Sequence, residues 1–133
     1  MTFLDTNILL RFILKDHPKY SPKAEAIIKK IDQGKIEVYV SWPTILEVVF
    51  VLQNSIKLPR KEITERLLPI FHLENVNLEQ KGLLDTIFEY YVGKNISLTD
   101  AYNAALMQKK KVKQIYSFDE DFDKFPQIER LDS

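Results

Sequence analysis

Four carboxylates stand out because of the company they keep. Asp5 ends the apolar run Thr2-Phe3-Leu4 and is followed by Thr6-Asn7. Glu47 interrupts Ile45-Leu46 and Val48-Val49-Phe50-Val51-Leu52. A helix over that run is apolar nearly all round, so Glu47 is expected to have little wet face. An unpaired carboxylate buried there needs a cation, a donor or a proton. Asp100 opens Asp100-Ala101-Tyr102-Asn103-Ala104-Ala105, and Asp119 follows Ile115-Tyr116-Ser117. Taken singly, each has an ordinary explanation. Asp5 is a good helix cap, Glu47 fits a narrow polar stripe, Asp100 suits the dipole of a first helical turn, and Asp119 belongs to an acidic turn. For Asp121 and Asp123 a solvated acidic turn is the expectation.

As a set they imply chemistry. Asp5 and Asp119 end strands, and Glu47 and Asp100 lie near the starts of helices. In a parallel α/β sheet such places fall on one edge, outside the carboxyl ends of the strands, where ligands gather. Carboxylates crowded there raise each other's pKa values unless a divalent cation neutralises them. Hard oxygen donors without His or Cys favour Mg2+ or Mn2+ over zinc. Such a site suits phosphodiester hydrolysis, in which metal ions activate water, orient the phosphate and stabilise the leaving oxygen.

The elements that must position these acids follow from periodicity. Thr2-Phe3-Leu4 predicts a short strand, and apolar residues 8, 9, 12 and 13 predict a helix over Asn7 to Lys15. Ser21 is expected to cap a second helix, with Pro22 at its first position, running to Gly34. Ile36, Val38 and Val40 alternate with Glu37 and Tyr39, as in a strand. Ser41 and Pro43 open a helix through about Lys57, where Pro59 ends it, and Lys61 to Ile70 forms another. His72 to Asn77 is a weak strand, Leu78 to Tyr91 a helix broken by Gly93, and Ser97 or Thr99 caps a helix from Asp100 to about Lys110. Ile115 to Ser117 and Ile128 to Leu131 complete the strands. Strands alternating with helices predict a three-layer α/β/α sandwich with a mainly parallel central sheet, and residues 1–133 are expected to form one domain.

Composition narrows the classes. The chain has 133 residues and no Cys, which removes disulfide scaffolds, Cys-ligated zinc and cysteine catalysis. It also fits a cytoplasmic protein. No apolar run reaches the ~20 residues of a membrane span, so no membrane association is expected. Lys and Arg number 19 against 19 Asp and Glu, which argues against nucleic-acid binding by bulk charge. Gly34, Gly82 and Gly93 stand alone, so no Gly-rich phosphate loop exists. His17 and His72 share no ligand spacing and are read as structural or surface residues.

Four segments carry a resemblance: Phe3-Leu4-Asp5-Thr6-Asn7, the helix with Glu47 after Ser41-Trp42-Pro43, Leu98-Thr99-Asp100-Ala101 with Ala104-Ala105, and Tyr116-Ser117-Phe118-Asp119 with Asp121-Phe122. In order and spacing they resemble a PIN domain, and in particular the small VapC-like toxin ribonucleases, over essentially the whole chain. The resemblance implies a parallel sheet between helices and Mg2+- or Mn2+-dependent cleavage of an RNA substrate. It also implies a small antitoxin protein as partner, and a homodimer. Asp5, Glu47 and Asp100 match the family's three firm acidic positions. Asp119 best matches the fourth, although the acidic run after it leaves a register shift to Asp121 open. Asn7 and Ser117 match polar positions that help hold the acids or water. Asn103 departs from the pattern at a place often apolar in relatives.

Lys109, Lys110, Lys111 and Lys113 form a basic cluster, either a solvated helix end that complements the dipole or a contact to the RNA backbone. Trp42 and most of the Tyr and Phe residues, Tyr90 and Tyr91 included, are expected to pack in the core or at an interface. The alternative to an enzyme is a non-catalytic PIN-like module that binds RNA or protein. A phosphoacceptor domain also gathers acids at strand ends, but it needs a paired acid early and a late Lys, and neither is evident.

Overall fold

A computed structural model describes residues 1–133. The chain divides into two compact units, Met1–Lys81 and Gly82–Ser133. In the first, β1 (Thr2–Phe3), β2 (Val38–Tyr39) and β3 (Val76–Asn77) pair in parallel in the order β1-β2-β3. Thr2 faces Val38, Phe3 faces Tyr39, and Tyr39 in turn faces Asn77. The Leu4 amide donates to the Tyr39 carbonyl and the Val40 amide to that of Asn77, so the ladders run on past the strands and align their carboxyl ends. Four helices connect the strands: α1 (Thr6–Leu14), α2 (Tyr20–Asp32), α3 (Trp42–Phe50) and α4 (Arg60–Phe71). Their apolar faces, with Leu9, Ile31, Ile45, Val48, Leu52, Leu67 and Phe71 fully buried, build this unit's core around Val38 and Val76.

Three local features depart from expectation. Helix α2 starts at Tyr20, and its start is held by His17, whose Nδ1 accepts the Lys19 and Tyr20 amides at 3.2 and 2.9 Å. The Ser21 hydroxyl instead accepts the His17 amide, so Ser21 is inside the first turn and is not the cap. Helix α3 does not continue unchanged to Lys57. It widens into a π turn over Val51–Ser55, with the Ile56 amide reaching the Val51 carbonyl, and ends where Lys57 turns left-handed at φ 64°. The helix expected from Leu78 does not form there, because Gln80 adopts φ 56° and cannot continue a right-handed helix. The loop carbonyls around it are taken up by side chains: Trp42 Nε1 donates to Glu79, and Lys81 Nζ to Leu73 and Val76.

The second unit follows a 3-10 turn at Lys81–Leu83. It contains α5 (Leu84–Gly93), α6 (Leu98–Lys110), β4 (Gln114–Tyr116), a 3-10 turn over Glu120–Lys124 and β5 (Glu129–Leu131). Strands β4 and β5 are parallel, Gln114 facing Glu129 and Tyr116 facing Leu131. Helices α5 and α6 pack together, and the small Ala101, Ala104 and Ala105 of α6 allow close approach beside Leu84, Ile87, Phe88 and Tyr91 of α5. Every strand pair is parallel and helices alternate with strands, the α/β sandwich class that the sequence predicts. No buried side-chain nitrogen or oxygen lacks a hydrogen-bond partner. No helix is long and apolar enough to cross a membrane.

Candidate active site

The first unit presents two of the acids. Asp5 leaves β1 in an extended conformation (φ −91°, ψ 162°) and is the N-cap residue of α1 by backbone geometry. Its carboxylate makes no capping hydrogen bond and is exposed. The ordinary explanation of Asp5 as a side-chain cap therefore does not hold. Glu47 lies on α3, whose start is fixed by Ser41, the residue that accepts the Thr44 amide, and by Pro43 in the first turn. Contrary to expectation, Glu47 is exposed. Pro43, Glu47, Phe50 and Asn54 share one open helix face, and Phe50 itself is 63% exposed. The apolar residues around Glu47 in sequence belong to the other faces of α3.

What ties the two acids' elements together is Thr6. It is 6% exposed, and its hydroxyl donates to Glu47 Oε2 at 3.0 Å. One oxygen of Glu47 is thereby fixed by the first residue of α1, directly after Asp5. The sequence offers Asn7 as a candidate but gives no signal for Thr6 beyond its place beside Asp5, because the bond spans 41 positions. Asn7 is exposed and faces the groove between α1 and α2.

The second unit gathers three acids. A carboxylate oxygen from each of Asp100, Asp119 and Asp121 lies within 4.8 Å of the others. Ser97 caps α6 by accepting the Asp100 amide at 3.1 Å, which sets Asp100 in the first turn. Asp119 follows β4, its amide held at 3.0 Å by the Ser117 hydroxyl, and its Oδ1 accepts the Asp121 amide at 2.9 Å to cap the 3-10 turn. Burial, first of all, holds the Asp100 carboxyl above the usual range. A hydrogen bond with Asp119, the charge of Asp119 and the charge of Asp121 push the same way, and a hydrogen bond with Ser97 opposes them.

Asp121 was expected to be solvated, yet it is half-buried in the cluster and pairs with Lys124 Nζ at 3.0 Å. The spacing Asp-x-Asp over a cap is the pattern that places it there. Asp123 points elsewhere, into a two-pronged pair with Arg130, whose Nη1 also donates to the Ser117 carbonyl. The lysine cluster sits at the opposite end of α6 from Asp100. Lys109 and Lys110 are in its last turn, Lys111 is its left-handed C-cap at φ 58°, and Lys113 follows. At ~1.5 Å per residue, Lys109 is roughly 14 Å along the helix from Asp100. Among the aromatics, Tyr91 is fully buried, and Tyr90 bonds Gln108 and packs edge-on to Phe125.

Comparison with known proteins decides the family: the PIN domain profile matches residues 2–128, across both units. The chain belongs to the PIN domain family. This PIN domain is also 26% identical, over 93% of its length and 91% of the relative's, to a VapC ribonuclease of Aquifex aeolicus (strain VF5). No solved structure gives a significant match to it. The donor set in its second unit fits a hard divalent cation. It consists of carboxylate oxygens close enough to share one ion, and the Asp100 carboxyl is raised by burial and then by the neighbouring acids, whose charge a cation would offset.

Proposed function

We propose that this PIN domain is a Mg2+- or Mn2+-dependent endoribonuclease, the toxin of a type II toxin–antitoxin pair, working in the cytoplasm as a homodimer with a small antitoxin as partner. The observation that carries the reading is the crowding of Asp100, Asp119 and Asp121 in a family whose VapC relative is a ribonuclease. Residues 1–133 are taken as one nuclease domain, with Asp5, Glu47, Asp100 and Asp119 as its acidic residues.

Asp5, Glu47, Asp100 and Asp119 are the residues that would hold the metal. Bound there, a divalent ion would supply Lewis acidity toward the phosphate and lower the pKa of water. The chain's own residues set the geometry. Ser117 fixes the backbone on which Asp119 is carried, and Ser97 fixes that of Asp100. Thr6 holds Oε2 of Glu47, leaving Oε1 to accept a proton from the attacking water or to serve as a ligand. Asn7, next to this pair, offers an amide to the substrate or to water. Lys109, Lys110, Lys111 and Lys113 contact the RNA backbone away from the scissile phosphate and contribute salt-dependent, sequence-independent affinity.

The test is metal-dependent cleavage of structured RNA by wild type, Asp5→Asn and Asp100→Asn. Each variant is expected to lose cleavage by at least about a hundredfold while its circular dichroism spectrum is unchanged. Undiminished cleavage in both would sink the proposal. Mn2+ binding by calorimetry without cleavage of any RNA would favour the non-catalytic binding module instead. A neighbouring short gene for a DNA-binding protein would support the antitoxin.

A further inference from the structure

The one cation paired with the acidic cluster has no part in the chemistry described so far. Lys124 closes the 3-10 turn Glu120–Lys124. Such a turn has three residues per revolution, so side chains three apart lie one above the other. Lys124 therefore stands over Asp121, and its Nζ reaches Asp121 Oδ1 at 3.0 Å. Asp123, in the same turn, is directed away to Arg130. No lysine or arginine pairs with Asp100 or Asp119, so the cluster has Lys124 alone for a counter-charge. The ammonium is also held in place. It donates to the Lys94 carbonyl at 3.0 Å, and Lys94 Nζ donates back to the Lys124 carbonyl at 3.0 Å. Lys94 Nζ lies 4.9 Å from the centre of the buried Phe125 ring, so this double latch ties the C-cap of α5 to the turn that carries the acids.

We propose that Lys124 is a tethered counter-ion of the metal site: it neutralises Asp121 while the site is empty and opposes the entry of a divalent ion, so its charge sets the metal concentration at which the site fills. The inference rests on the metal-dependent reading above and concerns the regulation of that same site. Stability does not account for the pair. Its side chains are 41% and 39% exposed, and ion pairs so open to water add little to folding. What the pair changes is the local field. Three carboxylates and one ammonium leave two negative charges, which one divalent ion balances. Without the ammonium a third charge is left to draw the ion in more tightly. The acids offer oxygens within 4.8 Å of one another, and Nζ is 3.0 Å from Asp121, so the ammonium is at most roughly 6 Å from the middle of the cluster. Over that distance, in water at 0.1 M salt, repulsion between a unit charge and a divalent ion changes affinity by about threefold to tenfold. Asp121 is then the partner of Lys124 and not a ligand, and Asp119 keeps the place of the fourth acid.

The test measures Mn2+ binding to the full chain without RNA, from the loss of the paramagnetic resonance signal of free Mn2+ at about 0.1 M salt. Lys124→Met keeps the stem and removes the charge, so it should bind Mn2+ about threefold to tenfold more tightly than wild type. Lys124→Arg keeps the charge and should bind as wild type does. The gain in Lys124→Met should shrink to less than about twofold at 1 M salt, where charges are screened within about 3 Å. Asp121→Asn leaves the ammonium unbalanced and should weaken binding by a similar factor. Asp121→Asn combined with Lys124→Met restores the cluster's net charge and should return the affinity to near that of wild type. Unchanged affinity in Lys124→Met overturns the proposal, and so does weaker binding, which would make the lysine a clasp that holds Asp121 as a ligand. A double variant as weak as Asp121→Asn alone overturns it as well, as does absence of Mn2+ binding by the wild type. The two readings fail separately. Tighter Mn2+ binding in Lys124→Met without RNA cleavage sinks only the nuclease, and metal-dependent cleavage with Mn2+ affinity independent of Lys124 sinks only the counter-ion.

Discussion

Asp100 carries a conflict between stability and use. Its carboxyl is held above its ordinary range by burial and by Asp119. A raised carboxyl favours the folded state most when protonated, so its contribution is present at pH below the unfolded value near 3.8 and lost as pH rises through the folded value. In the absence of divalent ions, Asp100→Asn should therefore gain on wild type as pH rises from 4 to 7, seen as a higher urea midpoint at neutral pH, while cleavage disappears. A difference in midpoint that is constant with pH would contradict the raised pKa. Thr6 makes the complementary case, since its bond to Glu47 positions a carboxylate and touches no substrate. Thr6→Val keeps the buried shape and removes the donor, so cleavage should fall by about 10–100-fold, while Thr6→Ser should retain it. Equal rates in Thr6→Val and wild type would remove Thr6 from the site. Asp5, Glu47, Asp100 and Asp119 are legible as candidates because their types and neighbours are visible along one chain. The acidic run leaves Asp121 open as the fourth acid, whereas the Thr6–Glu47 bond leaves no trace along the chain, because it depends on which side chains meet in space.

At the scale of elements, the acids depend on caps. Ser97 accepts the amide of Asp100 itself, so the cap that starts α6 also orients the acid. Ser97→Ala should cost about 1 kcal/mol of stability, measured by urea unfolding, and should weaken Mn2+ binding. Ser97→Asp, which keeps an acceptor, should restore most of the stability. No change in the alanine variant would show that the first turn is held by packing alone. The long apolar periodicities made most helices legible, and α1, α4 and α6 lie close to their expected spans. The ends were less legible for physical reasons. His17 replaces Ser21 at the start of α2 through a ring nitrogen, and a left-handed Gln80 cancels a helical turn that composition favours. The π turn after Phe50 leaves no composition signature, because its residues suit an ordinary helix equally well.

For the molecule as a whole, the balance of 19 bases against 19 acids is a statement about placement. Acids crowd at Asp100, Asp119 and Asp121, and cations collect at the far end of α6 and around the α1–α2 groove. A bound divalent ion would shift the acidic cluster toward positive potential where a phosphate must approach. Mn2+ should therefore raise the melting temperature of wild type and leave that of Asp100→Asn nearly unchanged, as scanning calorimetry can read. Light scattering at micromolar concentration should give twice the 15.7 kDa of one chain, and that mass alone would count against the homodimer. The parallel pairing has a consequence in time. β1 cannot find its partner until Val38 has been synthesised, β2 must wait for Val76, and β4 must wait for Glu129. Ribosomes add about 5–20 residues per second, so the segment bearing Asp119 gains its strand partner seconds after Asp5 has emerged. Until Glu129 to Leu131 have been made, Asp119 follows a strand that has no partner.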